Sequence, residues 1–334
     1  MSDIELKRED DEQDEVEDKQ CQGTKMMTDG VDLELGELQR RRALLLGESG
    51  KAWLAGLEAL VLALTDRWGL RLEAPLAGGT EALVYRVRNH VDEPLVLKLG
   101  LPGSLATETA ALRLAAGRGY VGLVAADPAN DALLLEHLGG KLIDAGLSVR
   151  RQQEIVLATV QAAWHPVADA SAFTTGAAKA RWHLEFIAEQ WSAQAAVCTT
   201  RLRDAALACC QARLEAFDPA TSVLVHGDAH AWNTLRVPGE DEAWKLVDPD
   251  GYFMEPAYDL GISMREWIDE YLAGEPRVLG EARARWLSDE TGIDEEPIWQ
   301  WGLIELVSTG FVYLQLDEPA AAKPYFELAE AWVP

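Results

Sequence analysis

Apolar positions recur at three- and four-residue spacings through residues 36–68: Leu38, Leu44, Leu45, Leu54, Leu57, Leu60, Val61 and Leu64. That period places them on one helical face, so the segment reads as helix. From residue 70 to 99 the period changes to two. Leu83-Val84-Tyr85-Arg86-Val87-Arg88 alternates, and Leu95-Val96-Leu97-Lys98-Leu99 is a further strand after the turn that Pro94 ends. Leu76-Ala77-Gly78-Gly79-Thr80-Glu81-Ala82 reads as a turn between two of these strands. Residues 105–117 are helical in pattern, and Leu133–Leu138 is a short apolar strand closed by Gly139-Gly140. The remainder is mostly helical, interrupted by a strand-and-loop block at 223–250. The order is therefore strands with one helix, a crossover strand, then helices: an α+β chain with a smaller, nucleotide-binding first part over 31–138, which includes the preceding helices, and a larger helical part over 139–334. Ahead of both, residues 1–30 carry the acidic runs Glu9–Glu12 and Asp14–Asp18. Such a segment cannot bury enough apolar area to offset its ordering entropy, which predicts a disordered tail.

Composition narrows the partners. The chain has 334 residues, ample for a sizeable core, and a formal net charge of -26. That charge argues against duplex nucleic acid or an anionic membrane as partner. It is compatible with a cationic small molecule, although acidic surface also simply aids solubility. No apolar run reaches the ~18 residues that a membrane span needs. The acidic start resembles neither a secretory signal nor a transit peptide. Cys21, Cys198, Cys209 and Cys210 show no framework spacing. The expected setting is a reducing cytoplasm without a structural disulfide. Gly47-Glu48-Ser49-Gly50-Lys51 imitates a phosphate-binding loop, but Leu45 stands where the first Gly is needed and Ala52 where Ser or Thr is needed. A helix-to-helix turn is expected there.

The candidate chemistry lies in Val225-His226-Gly227-Asp228-Ala229-His230-Ala231-Trp232-Asn233, followed by Lys245-Leu246-Val247-Asp248-Pro249-Asp250. An Asp, an Asn five positions on, and an Asp at the end of an apolar strand form the layout of a kinase catalytic loop and its metal site. Asp228 would orient or deprotonate the accepting hydroxyl. Asn233 and Asp248 would hold Mg²⁺ on the nucleotide phosphates through hard oxygen ligands. A protein kinase carries Arg where this loop has Gly227, so no basic residue is present to meet a phosphorylated activation segment. That points to a small-molecule kinase. Lys98, closing an apolar strand, would pair with the phosphates, and Glu108 on the following helix would hold it in place. Gly78 and Gly79 would let the backbone approach the phosphates, with Thr80 adding a hydroxyl. Glu136, His137 and Leu138 would be the hinge that meets adenine through backbone groups. His226 and His230 invite a zinc reading, but a loop with Gly227 between them and no third ligand pattern argues against it.

With Val247-Asp248-Pro249-Asp250-Gly251 and Glu255-Pro256-Ala257-Tyr258-Asp259-Leu260-Gly261 behind it, the loop resembles the aminoglycoside phosphotransferase family, nearest its streptomycin/hydroxyurea kinase branch. By motif order the resemblance spans residues ~70 to ~330. It implies a protein-kinase-like fold in two lobes: a small antiparallel-sheet N-lobe with one main helix, and a larger, mostly helical C-lobe, with ATP and Mg²⁺ between them. It also implies transfer of the γ-phosphate to a hydroxyl of a small molecule, first an aminoglycoside such as streptomycin, or hydroxyurea. Asp259 matches the family's structural aspartate, which braces the catalytic loop, and His226 would pack behind that loop. His230 would stand near the site. Asp250 departs from the Lys often found in this branch and could be a further metal ligand or face a cationic substrate. Acceptor-pocket candidates are Trp182, Glu185 and Glu189 on one helix and Arg265, Glu266 and Asp269 on another, each of which also reads as a solvated helix face. Trp232 could shape the pocket. The alternatives are a metabolic or peptide-natural-product kinase of the same fold, and a nucleotide-binding pseudokinase scaffold. The joint presence of Lys98, Asp228, Asn233 and Asp248 argues against the last.

Overall fold

The computed structural model describes residues 35–76, 82–194 and 197–333. The acidic tail and Gly78, Gly79 and Thr80 lie outside the described residues. The chain divides into two units, one reaching to Gly117 and including Val121–Leu138, the other made of Arg118–Tyr120 and Gly139 onward.

The first unit begins with two helices, α1 (Glu37–Leu45) and α2 (Glu48–Trp68). The sequence pattern places a helix-to-helix turn at Gly47–Lys51. The two helices break at the first of these residues, Gly47, whose φ of 66° lies in the left-handed region, and the turn is shorter than expected, since Glu48 to Lys51 already belong to α2. Strands β1 (Arg71–Pro75), β2 (Ala82–Arg88) and β3 (Pro94–Gly100), helix α3 (Ala106–Ala115), and strands β4 (Leu123–Asp127) and β5 (Ala132–Glu136) follow. The sheet order is β1-β2-β3-β5-β4, antiparallel throughout. Strand β4 is absent from the sequence reading: it is short, lies at the sheet edge, and its register slips between Leu123 and Ala125. Alternate residues of a strand point to opposite faces. On β3, Leu95, Leu97 and Leu99 join Leu57, Val61 and Leu64 of α2 in one core, with Tyr85 and Val87 of β2. Lys98 is thereby turned to the other face.

The second unit comprises α4 (Val149–Ala163), β6 (Thr174–Thr175), α5 (Gly176–Ala193), α6 (Thr200–Glu215), β7 (Val223–Val225), β8 (Thr234–Arg236), β9 (Trp244–Leu246), β10 (Tyr252–Met254), α7 (Ala257–Arg265), α8 (Ile268–Leu272), α9 (Pro276–Thr291), α10 (Glu295–Gln315) and α11 (Pro319–Trp332). Its strands are short and form two small sheets, β6-β10-β7 and β8-β9. Helix α10 is the centre of the core: every residue from Trp301 to Tyr313 is buried, most of them apolar, as a helix without a wet face must be. It meets α7 closely because both helices carry glycine at the crossing. A Cβ on Gly261 would stand 2.4 Å from the Trp301 Cβ, and one on Gly302 would stand 2.7 Å from that of Met264. All nine residues of α7 are buried. Among the described residues, no helix is long and apolar enough to cross a membrane.

Candidate active site

In the first unit, Lys98 Nζ donates to both carboxylate oxygens of Glu108, at 2.8 and 2.6 Å. Both side chains are buried. The alternation of β3 and the first-turn position of Glu108 on α3 produce this pair. Glu136 ends β5, and its Oε1 accepts a hydrogen bond from Gly122 N at 2.6 Å. Its carboxylate thus braces the chain entering β4, a side-chain task the sequence reading did not assign. His137 is half-buried and Leu138 buried. Burial and the nearby Arg86 and Arg88 hold the His137 pKa below its ordinary value.

In the second unit, β7 delivers the chain into the loop His226–Asn233. Asp259, in the first turn of α7 and fully buried, receives the loop's backbone: Gly227 N donates to Oδ1 at 2.8 Å and His226 N to Oδ2 at 3.0 Å. Trp164 Nε1 donates to the same Oδ2 at 3.0 Å. Burial pushes Asp259 up to about 6, against the three N–H donors that pull it down. Asp228 N donates to His226 Nδ1 at 3.1 Å, so the ring proton sits on Nε2, which meets Val247 O at 2.9 Å. Burial lowers His226 to about 4 despite the Asp228 charge, so the ring is neutral. Tyr120 stacks on it, ring centroids 5.7 Å apart.

The Asp228 carboxylate, 1% exposed, is held by three side chains. Arg265 Nη2 donates to Oδ1 at 3.0 Å, Asn233 Nδ2 donates to Oδ2 at 3.1 Å, and His230 Nε2 stands 3.2 Å from Oδ2. Asn233 Nδ2 also reaches Asp228 O at 3.1 Å, so any ligand role of that side chain falls to Oδ1. Arg265 had the character of a solvated helix residue in the sequence; it is instead completely buried. Its second arm, Nη1, donates to Glu305 Oε2 on α10 at 2.7 Å. Tyr258 OH donates to Glu305 Oε1 at 2.7 Å. His183 Nε2 of α5 lies 3.1 Å from that oxygen, too bent for a hydrogen bond, while its Nδ1 pairs with Ser308 Oγ at 2.8 Å. Burial opposes ionisation of Glu305, but His183, Arg265 and Lys179 outweigh it and bring the carboxyl down to about 2.

Asp248 follows β9 with a φ of 57°, a left-handed conformation that Asp tolerates better than most residues. Val247 N donates to Asn233 O at 2.9 Å and Gly251 N to His226 O at 3.0 Å, so the Asp248 segment is tied to both ends of the loop. Asp250 Oδ2 accepts from Tyr252 OH at 2.8 Å. The Tyr252 hydroxyl in turn accepts from Lys179 Nζ at 3.1 Å.

The structure therefore gathers Asp228, His226, His230, Asn233 and Asp259 into one hydrogen-bonded cluster, with Asp248 and Asp250 tied to it through the backbone and Tyr252. Glu266 closes α7, its Oε1 3.6 Å from Arg265 Nε. Glu185, Glu189 and Asp269 are exposed. On α5 the buried flank instead carries Lys179, His183 and Ile187. Trp182 is 37% exposed, and Trp232 lies under the Lys141 ammonium, 5.1 Å from its ring centroid. Lys179, His183 and Glu305 were missed in the sequence. One signal was available: Glu305 is the lone charge in the run Trp301-Gly302-Leu303-Ile304-Glu305-Leu306-Val307. A cavity of about 540 Å³ is lined by Arg150, Gln153, Glu270, Tyr271, Arg283 and Trp286 among others, and by none of the loop residues.

The chain is similar to known proteins. The model of the phosphotransferase enzyme family matches residues 73–295. The hydroxyurea phosphotransferase of Kitasatospora aureofaciens is 31% identical over 91% of this chain and 85% of that protein. The streptomycin 6-kinase of Streptomyces glaucescens is 31% identical over 83% of this chain and 89% of that protein. That of Streptomyces griseus is 27% identical over 85% and 92%. Among solved structures, choline kinase LicA from Streptococcus pneumoniae superposes with a TM-score of 0.57 at 16% identity, covering 82% of this chain and 99% of that one. An aminoglycoside phosphotransferase from Alicyclobacillus acidocaldarius gives 0.52 at 14% identity, covering 81% and 93%. At those identities the structural likeness speaks for the protein-kinase-like fold, and the sequence relatives speak for the family. The chain belongs to the phosphotransferase enzyme family, in its streptomycin and hydroxyurea kinase-like branch, and is a small-molecule phosphotransferase with an alcohol group as acceptor.

Proposed function

We propose that the chain transfers the γ-phosphate of ATP, in a Mg²⁺-dependent reaction, to a hydroxyl of an aminoglycoside-like or related small acceptor. The observation that carries this reading is the Asp228 carboxylate, fixed by Arg265, Asn233 and His230 at the turn of the loop. Phosphoryl transfer asks a protein mainly for positioning and charge, so a carboxylate already held in place is the group that would receive the acceptor O–H. The donor set fits magnesium: Asn233 and Asp248 offer an amide and a carboxylate oxygen, and Mg²⁺ commonly takes one or two carboxylates and completes its shell with phosphates and water. When bound, it supplies charge neutralisation on the phosphates. Lys98, kept in place by Glu108, would bind those phosphates, with Gly78, Gly79, Thr80 and the segment Glu136–Leu138 as further nucleotide contacts. The hydroxyurea and streptomycin kinase relatives support the acceptor class.

The test is ADP formation across streptomycin, other aminoglycosides, hydroxyurea, choline, amino sugars and Ser-containing peptides. Asp228→Asn should keep nucleotide binding and lose about 10³-fold or more in turnover. Near-normal turnover in that variant would overturn the assignment.

A further inference from the structure

A lysine sits badly in the first turns of a helix, where the backbone dipole presents its positive end. Lys179 is nonetheless the fourth residue of α5, just after the Thr175 cap, and it is buried. Its surroundings explain its presence. The ammonium lies 4.7 Å from the Tyr252 ring centroid, 4.9 Å from that of Trp182 and 5.8 Å from that of Tyr258, all within cation–π range. It also donates to Tyr252 OH, which leaves that hydroxyl to donate to Asp250. Tyr252 and Tyr258 meet edge to face at 5.7 Å, forming a corner of the enclosure. Trp182, the most exposed of the three rings, closes the side towards solvent. The enclosure borders the catalytic loop: a Cβ on Gly227 would be 2.8 Å from the Tyr252 ring.

Three aromatic faces, with a carboxylate beyond one of them, are the means by which proteins recognise small alkylammonium groups. Here the chain's own ammonium fills that place. We propose that Lys179 is a specificity-determining residue: by occupying the cage of Trp182, Tyr252 and Tyr258 it excludes acceptors that would put a small alkylammonium group there. As a statement about acceptors, this rests on the kinase reading above. A second cation in the cage would meet the Lys179 charge at close range in a desolvated site, an exclusion by repulsion and occupied volume. Alkylammonium alcohols of the choline type are refused, and acceptors that present hydroxyl or ureido groups at this wall are not.

Lys179→Ala deletes the four heavy atoms Cγ to Nζ, frees the space beside the three rings and leaves the rings in place. In a thermal-shift titration with sodium chloride at matched ionic strength, tetramethylammonium chloride should raise the Tm of Lys179→Ala by about 3 °C at tenfold excess over Kd. The unaltered protein should not respond. Lys179→Met, which refills the space without charge, should respond far less than Lys179→Ala. A Lys179→Ala variant that is folded by circular dichroism yet indifferent to the cation overturns the proposal. So does stabilisation of the unaltered protein by tetramethylammonium, a result that needs no variant to fold. These readouts do not depend on turnover. Failure to form ADP with any acceptor would count against the kinase reading and leave the cage result standing.

Discussion

Gly227 obeys two constraints at once. Its φ of 92° lies where only glycine is at ease, and a Cβ there would be 2.8 Å from both the Asp250 Cβ and the Tyr252 ring. Neither neighbour can retreat freely: Tyr252 is bonded to Lys179 and Asp250, and Gly227 N is held by Asp259. Gly227→Ala should therefore lower stability by about 2 to 4 kcal/mol and displace Asp228, with turnover falling further than nucleotide affinity. Denaturant titration and steady-state kinetics read the two effects. In the sequence, this glycine showed only that an arginine was absent. The reason for glycine is the Tyr252 ring, far along the chain and invisible to local pattern. Asp228, Asn233 and Asp248 were legible because their chemistry is written in short spacings. Lys179, His183 and Glu305 were not, because each acts through a contact at least 40 positions away.

Helices α7 and α10 show the same contrast at the scale of elements. Arg265 looked like a surface residue because amphipathic reasoning assumes that a helix keeps one wet face. Helix α7 has none: its nine residues are all buried, and the glycines at the α10 crossing bring Arg265 against Glu305. The guanidinium then works as a fork, one arm on Asp228 and the other on Glu305. A lysine has the charge but not the planar two-armed geometry. Arg265→Lys should lower kcat at least about tenfold with a smaller change in the KM for ATP, since the lost interaction orients Asp228. Arg265→Met, which strands two buried carboxylates, should lose about 3 to 5 kcal/mol of stability. An Arg265→Lys enzyme with unaltered kcat would show that charge alone suffices. The long alternating strands β2 and β3 were readable from period two. Strand β4 was not, because its register slips at the sheet edge, and the three-residue strands around the loop were legible only as a strand-and-loop block, being too short to show a period.

For the molecule as a whole, the buried titratable groups of the second unit set how stability follows pH, and two of them pull in opposite directions. His226 has its pKa lowered from 6.5 to about 4, so the unfolded chain takes up a proton that the folded one refuses. Its contribution is complete above pH 6.5 and is lost as the pH falls towards 4. Asp259 has its pKa raised from 3.8 to about 6 by burial, so the folded chain takes the proton first. That carboxyl withdraws stability as the pH rises from 3.8 to 6, and returns it as the pH falls. Across the shared window the two partly offset each other. Asp259→Asn removes one side of the balance. The variant should be less stable at every pH, since an amide cannot accept from Trp164 and two backbone N–H groups as a carboxylate does. The informative quantity is its slope. Between pH 6 and 3.8 its unfolding free energy should fall, relative to the unaltered protein, by roughly 1.4 kcal/mol more per pH unit of acidification. Urea titrations at several pH values in that window measure it. A difference of opposite sign would mean that the three N–H donors overcome burial and that Asp259 remains ionised below its ordinary range. The catalytic loop would then be anchored by charge even in acid, and the tolerance of the fold to low pH would rest on that anchor.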